Sequence, residues 1–442
     1  MKKTPLSESA VPSGRFSRLT GLVKLASGVA GSVIGQGAQQ IATGSKPRVK
    51  DLLLSPANIQ RLTQQLSEMR GAAMKVGQLL SMDGGDYLSP ELTKILSQLR
   101  SDARSMPKKQ LLGVLERNWG DGWQSKFKDF SYTPIAAASI GQVHLARTHD
   151  DRALAVKVQY PGVRQSIRSD IDNIAVLLRV SNLIPRGLDI SALLEEAKRQ
   201  LQDEADYLKE SAHMVRYRDF LAGDTDFVIP EVDSKLTTKD VLAMSHVAGR
   251  PLDELKSHDQ AERDRVMSKL TELMFREIFE FNCMQTDPNF ANYLYDADSG
   301  KIALLDFGAT RSFDPDRVSA YRRLMKAGMA SDAAAMEQAA MAIGYFDKDM
   351  KPAHRRLVLD ILMAASEPLR HEGPYPCGKL GLGRRMNEKA AALGSDRSFG
   401  HIAPTETIFL HRKVGGIYML GVQLNAQIDF AEIFTTFITE PG

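Results

Sequence analysis

The chain has 442 residues, 57 Lys or Arg against 54 Asp or Glu, and 43% hydrophobic residues, ample for a core. That length suits two or three domains, or one two-lobed domain with additions. Cys283 and Cys377 are the only cysteines; they lie far apart without metal-ligand spacing, which points to a reducing compartment.

The net charge of +3 is unevenly spread: the first fifty residues carry eight Lys or Arg against Glu8 alone, so the remainder is net acidic. This basic end lacks the repeated interleaving of aromatics that nucleic-acid binding would need, and no nucleic-acid motif follows, so nucleic acid is not an expected partner. Lys2-Lys3 is followed by polar residues, not by the apolar region of a signal peptide. A mitochondrial transit segment stays open, because this end is basic and acid-poor.

Residues 1–14 read as a disordered tail. Residues 15–44 read as a helix with Leu19, Leu22, Val23, Ala26, Val29, Ala30, Val33 and Ile34 on one face, beside Arg15, Arg18 and Lys24. Its apolar run is shorter than the about 20 residues needed to span a bilayer. Two readings remain: an interfacial helix at an anionic lipid surface, which is favoured, or a homodimer contact through the small-residue stripe Ser27, Gly31 and Gly35.

The next helix starts at Ser55-Pro56, a cap followed by a first-turn proline. Ile59, Leu62, Leu66, Met69, Ala73, Val76 and Leu80 recur three and four apart as one packed seam. Lys75 and Gln78 flank that seam and, by pattern alone, are ordinary polar neighbours. Helices Pro90 to Arg100 and Pro107 to Trp119 follow.

Residues 143–147 and 153–160 read as strands around a charged turn, with Leu154, Val156 and Val158 on one face and Ala155, Lys157 and Gln159 on the other. A Lys in mid-strand among small apolar neighbours is costly unless paired. Ahead of it runs Ala136-Ala137-Ala138-Ser139-Ile140-Gly141. Alanine reaches positive φ only at a cost, so this loop is shaped differently from a glycine flap, yet it can present backbone N–H groups to phosphate. A helix from about Ser191 to Tyr217 carries Asp203, Asp206 and Glu210 on one stripe, with Glu204 adjacent. Clustered acids repel, so a cation is expected nearby; a solvated acidic face is the plainer account.

Further on, Val266, Leu270, Leu273, Met274 and Phe281 mark a long helix. Then comes QTDPNFANYLYDADSGKIALLDFGAT, residues 285–310. Asp287 is followed five residues on by Asn292, then by two short strands about a turn rich in Asp, Ser and Gly, then by Asp306-Phe307-Gly308. A hairpin brings Asn292 back beside Asp306. A carboxylate and an amide oxygen are the ligands hard Mg²⁺ prefers. This order and spacing is that of protein-kinase-like phosphotransferases. The stretch 371–384 is the clearest late loop, and no internal repeat is found.

Four motifs carry a more specific resemblance. Lys75-Val76-Gly77-Gln78 is a K-x-G-Q element, Ala136 to Gly141 an alanine-rich loop, Glu204-Ala205-Asp206 an E-x-D element, and Asp287, Asn292 and Asp306 a metal and catalytic set. With His411 to Gly416, they make the chain resemble the UbiB-type atypical kinases, or aarF-domain family, over about residues 50 to 435, nearest to the eukaryotic coenzyme-Q branch and its bacterial relatives. The resemblance implies an α+β, two-lobed protein-kinase-like fold with an N-terminal all-helical K-x-G-Q extension. Its expected parts are residues 1–50 (basic tail and helix), 51–129 (extension), 130–247 (N-lobe) and 248–442 (C-lobe).

The resemblance also implies roles. Lys157 holds ATP phosphates and pairs with Glu210. Asn292 and Asp306 hold Mg²⁺, and Asp287 orients or deprotonates the acceptor. The 136–141 loop and Met244, Ser245, His246 and Val247 bind nucleotide. The hinge departs from the family, which often has an acidic residue after the gatekeeper; main-chain contacts to adenine are still expected. The K-x-G-Q element, with Lys75 and Gln78, folds over the active-site cleft, Lys75 pairing with Glu204 or Asp206. Classical bacterial members end in hydrophobic membrane helices, whereas this sequence ends at Gly442 without one. Ubiquinone biosynthesis and its proteins as partners follow from the resemblance. So does a cytoplasmic place, peripheral on a bacterial inner membrane, with the mitochondrial matrix side open. The activity expected is an Mg-ATP-dependent kinase or ATPase; the alternative is a nucleotide-binding scaffold or chaperone-like switch with little turnover.

Overall fold

Ser55 opens the part of the chain whose conformation is described. The computed structural model describes residues 55–83, 90–101, 105–180, 190–346, 348–395 and 404–438; the readings of residues 1–14 and 15–44 lie outside them. The described chain divides into two compact units. One holds the residues up to Ala212 together with Glu231–His246; the other holds His213–Pro230 and the residues from Val247 onward.

In the first unit, Pro56–Glu68 is α1 and Arg70–Asp83 is α2. The single helix expected over residues 55–80 is therefore two. Met69 leaves helical geometry at φ −112° and ψ 31°, and its N–H turns back to the Leu66 carbonyl. Leu62, Leu66, Met69, Ala73, Val76 and Leu80 are nonetheless all buried. Tertiary packing of one apolar face, not unbroken helical hydrogen bonding, sets the path. These side chains form one core with those of α3 (Pro90–Ser101), with Ile140, and with side chains from two helices beyond the sheet.

Next come α4 (Lys108–Trp119) and strands β1 (Phe127–Phe130), β2 (Ala136–Ala137), β3 (Gly141–Thr148) and β4 (Ala153–Gln159). Then follow α5 (Val163–Val180), α6 (Ser191–Glu204) and α7 (Tyr207–Phe220). The short β5 (Phe227–Val228) belongs to the second unit, and the chain returns to the first as β6 (Val241–Ser245). The sheet order is β1-β3-β4-β6, with β2 on β3, all antiparallel. Strand pairing thus crosses the expected division at 129/130. Leu154, Val156 and Val158 pack with Leu111, Val114 and Leu115 of α4 and with Trp123, Phe127 and Phe130. Burying such side chains contributes about 1.5–3 kcal/mol each.

The helix expected from Ser191 to Tyr217 is also two, because its middle is claimed by other partners. The Ala205 carbonyl accepts Gln159 Nε2 of β4 at 3.0 Å. Asp206 then caps α7, its carboxylate accepting the Lys209 N–H.

The second unit is built on α8 (Gln260–Phe279), started by Asp259, whose side chain accepts the Glu262 N–H. Phe281, expected on this helix, lies past its end, and Asn282 turns the chain with φ 47°. The strands are β7 (Arg250–Pro251), β8 (Cys283–Gln285), β9 (Tyr293–Asp296), β10 (Lys301–Leu304) and β11 (Thr310–Ser312). β9 and β10 form the expected hairpin, with Tyr293 opposite Leu304, inside a sheet of order β5-β10-β9-β7. β8 and β11 pair separately, Gln285 opposite Thr310. Helices α9 (Pro315–Met329), α10 (Ala333–Ile343) and α11 (Pro352–Ala365) follow. After β12 (Tyr375–Pro376), α12 (Leu382–Ser395) takes the last residues of the expected 371–384 loop. α13 (Thr405–Leu424), β13 (Gln427–Ile428) and α14 (Phe430–Thr435) close the unit. No helix among the described residues is long and apolar enough to cross a membrane.

Candidate functional site

Lys157 stands in mid-β4, opposite Val143 of β3 and Leu242 of β6. Flanked on both sides, it is only 7% exposed. Glu210, in the first turn of α7 and 3% exposed, accepts its Nζ at 2.7 Å. The position suits a carboxylate, since the helix dipole is positive there. Taking a cation and an anion this far from water costs several kcal/mol per ion, so the pair holds only by mutual neutralisation and further hydrogen bonds.

The alanine-rich loop lies beside it. β2 pairs with β3, and the Ala138 N–H closes the turn on the Gly141 carbonyl at 2.9 Å. No residue from 136 to 141 has positive φ. This explains how alanine serves where a glycine flap would need left-handed backbone. The one remaining glycine answers a different demand: a Cβ on Gly141 would lie 2.3 Å from the Val158 carbonyl oxygen.

Ser139 Oγ donates to Glu204 Oε2 at 3.0 Å, and Lys75 Nζ donates to Glu204 Oε1. Glu204 thus ties the loop to the K-x-G-Q helix, with Lys75 buried. Of the two expected partners of Lys75, Glu204 is the one it meets. Asp206 takes Arg164 instead, at 2.7 Å. Gln78 continues α2, and its side chain lies outside the described residues.

At the end of β6, Met244 is buried opposite Ala155. The Ser245 N–H donates to the Glu231 carbonyl and the His246 N–H to that of Ala153. Of the main chain of Met244 to Val247 expected to contact nucleotide, these two amides are thus engaged within the protein. Val247 begins the next segment of the second unit.

In the second unit, β8 leads into the loop that carries Asp287. Gln285 brackets Asp287: its Oε1 accepts the Asp287 N–H at 3.2 Å and its Nε2 donates to the Asp287 carbonyl at 3.1 Å. Asn292 Nδ2 donates to that same carbonyl at 2.8 Å. This orients the Asn292 amide with its nitrogen toward Asp287. The hairpin returns as expected, the Leu305 N–H reaching the Asn292 carbonyl at 3.0 Å, and Asp306 Oδ1 accepts the Gly308 N–H at 3.0 Å. Thr286 bonds the Ala309 carbonyl through both N–H and hydroxyl, which ties the loop to the segment after the D-F-G.

Arg412 is a residue to which the sequence assigned no role. Its buried guanidinium donates to Asp287 Oδ1. Its helix, α13, lies directly against the loop: a Cβ on Gly416 would fall 2.1 Å from Pro288 Cγ. The signal was a basic pair and a glycine pair in His411 to Gly416, with nothing local to say what they face.

The structure therefore brings together Lys157, Glu210, the 136–141 loop, Lys75 and Glu204 in one unit. It brings together Asp287, Asn292 and Asp306, with Arg412, in the other. The residues fit the groups the fold implies. A paired buried ammonium would suit phosphate oxygens, and a carboxylate plus an amide oxygen would suit Mg²⁺. No cluster of three or more His, Cys, Asp or Glu among the described residues forms a metal cage of its own.

Residues 98–340 match the ABC1 atypical kinase-like domain. Over 98% of its length the chain is 35% identical to the mitochondrial atypical kinase COQ8 of Saccharomyces cerevisiae, spanning 86% of that protein. It is 36% identical to the mitochondrial atypical kinase COQ8B of Rattus norvegicus, over 97% of this chain and 81% of that one. Among solved structures it is similar to Rv3197 of Mycobacterium tuberculosis, determined with erythromycin, with a TM-score of 0.61 and 24% identity over 89% of this chain and 98% of that one. That last likeness speaks to the fold, which is α+β and kinase-like. The chain belongs to the ABC1, or UbiB-type, atypical kinase family.

Proposed function

We propose that this chain binds MgATP and transfers or hydrolyses its terminal phosphoryl group in support of ubiquinone biosynthesis, with proteins of that process as partners. The observation that carries the reading is the buried Lys157–Glu210 pair on β4 and α7. A charged pair so far from water is better explained by a use for the cation than by stability.

In this reading Lys157 contacts the α and β phosphates, oriented by Glu210, and the 136–141 loop offers main-chain N–H groups to them. Asn292 and Asp306 supply oxygen ligands to Mg²⁺; the metal, when bound, offsets the phosphate charge. Asp287 orients the acceptor hydroxyl or water and takes its proton. Met244 to Val247 border the base. The Lys75–Glu204 pair, with Gln78 and Asp206, forms the gate on the alanine-rich loop.

A second reading, a nucleotide-binding scaffold with little turnover, draws on one observation: Asp287 is already engaged by Arg412. The two separate in one experiment. Asp287→Asn is expected to lose turnover while keeping Mg-nucleotide stabilisation, and Asp306→Asn to lose both. Mg-nucleotide thermal shift and phosphate release are measured side by side. Unchanged stabilisation in Asp306→Asn refutes the metal assignment, and unchanged phosphate release in Asp287→Asn refutes its catalytic role.

We also infer, from the sequence of residues 15–44 alone, a reversible attachment to an anionic lipid surface. The cytoplasmic face of a bacterial inner membrane, or the matrix side in a mitochondrion, is the matching location; the rival is a homodimer contact through the same segment.

A further inference from the structure

Directly behind the catalytic loop, the second unit buries a cluster of polar groups that the chemistry above does not use. Glu277, on α8, is 1% exposed. It accepts two hydrogen bonds from two other elements, the Tyr217 hydroxyl of α7 at 2.8 Å and the Gln285 N–H of β8 at 3.2 Å, and forms an ion pair with Lys413 Nζ of α13 at 2.6 Å. The Tyr217 hydroxyl also lies 3.2 Å from the Cys283 carbonyl of β8. Lys413 is 2% exposed. Burial pushes the Glu277 carboxyl up and Lys413 opposes that shift. Burial likewise holds the Tyr217 phenol well above its ordinary range, so it is a donor here.

Two of the partners of Glu277 lead on to the Asp287 loop, and the third, Tyr217, holds β8 at the Cys283 carbonyl. Gln285 donates its backbone N–H to Glu277 and holds both the N–H and the carbonyl of Asp287 through its side chain. Lys413 is preceded by Arg412, which reaches the Asp287 carboxylate. Fixing Lys413 on Glu277 fixes the helix register that sets Arg412 on Asp287.

We propose that Glu277, with Tyr217 and Lys413, is the positioning device of the catalytic loop, holding the Asp287 carboxylate in its working orientation from behind. The proposal rests on the catalytic reading of Asp287. A buried charge cluster is not needed for stability, since an apolar replacement of similar volume is often as stable. Positioning has a use for it, because a displaced catalytic group loses rate steeply.

The test uses the full chain and three variants. Tyr217→Phe removes one hydroxyl and adds nothing. Glu277→Gln with Lys413→Met removes both charges at nearly constant volume, which avoids a lone buried ion. Asp287→Asn is the reference. Thermal midpoint, Mg-nucleotide affinity, and kcat and KM for phosphate release are measured for each. Tyr217→Phe and the double variant are expected to stay folded, keep nucleotide affinity and KM within about twofold, and lose kcat by roughly tenfold or more. In the Asp287→Asn background they are expected to change the residual kcat by less than about twofold, because they act through Asp287. Full kcat in folded cluster variants, alongside a lost kcat in Asp287→Asn, overturns the positioning role and leaves the catalytic one intact. Equal loss of kcat in both backgrounds also overturns it, since the cluster then acts by another route. Full kcat in Asp287→Asn, or no turnover by the wild type, removes the catalytic reading and this proposal with it.

Discussion

Replacing Lys157 by Met separates what the cation does for the fold from what it does for the nucleotide. The Lys157 and Glu210 side chains are 9% and 3% exposed and their charged atoms are 2.7 Å apart. Removing one partner of such a pair costs about 3–5 kcal/mol, because the remaining carboxylate stays in a poorly solvated place. Lys157→Met with Glu210→Leu removes both charges and is expected to regain most of that loss. Both tryptophans, Trp119 and Trp123, lie beside the same sheet, packed on Phe127 and Phe130. Urea unfolding followed by their fluorescence therefore reports this unit. Mg-nucleotide stabilisation is expected to vanish in the single and the double variant alike. A single-variant cost below about 1 kcal/mol refutes the energetic argument. A double variant that recovers both stability and nucleotide binding refutes the role of Lys157.

Two further outcomes follow from the structure and the sequence. His144 is fully buried, donates Nδ1–H to the Ser131 carbonyl, and receives the Gln142 amide at Nε2, so a second ring proton has no acceptor; burial lowers its pKa to about 4. Between pH about 6.5 and 4 the unfolded chain then binds more protons than the folded one, so stability falls as pH drops through that window, by about 3 kcal/mol in all. Tryptophan-monitored unfolding at pH 7 and pH 4.5 checks this, and a slope unchanged in His144→Gln would refute it. Removing residues 1–44 is expected to abolish co-sedimentation with anionic vesicles while leaving Mg-nucleotide binding intact. If sedimentation velocity shows instead that truncation turns a dimer into a monomer, and vesicle binding persists, the segment is a dimer contact.

The local motifs could be read along the chain because each is set by neighbours in sequence. Alternation placed Lys157 on the face opposite Val156 and Val158, since successive strand residues point to opposite sides. The Asp, Ser and Gly turn announced the hairpin that carries Asn292 back to Leu305. Helix continuity was less legible. Apolar spacing runs unbroken through Met69, and the acidic stripe of Asp203, Asp206 and Glu210 runs across Ala205, yet both positions end a helix. The spacing records which side chains are buried; whether the backbone bends between them depends on what it meets, here Gln159 reaching the Ala205 carbonyl.

Motif order alone thus pointed to the kinase-like class, paired Lys157 with Glu210, and set Asp287, Asn292 and Asp306 on one loop and hairpin. Tertiary structure decided which of two acids takes Lys75, and gave Asp206 to Arg164. It also showed that Gly141 serves a close approach, not a left-handed turn. Above all it placed Arg412 on Asp287 and Lys413 on Glu277. More than a hundred residues separate each of those pairs in sequence. Nothing local selects between partners so far apart, because the choice is made when helix α13 packs against the loop and every buried charge must find its counter-charge.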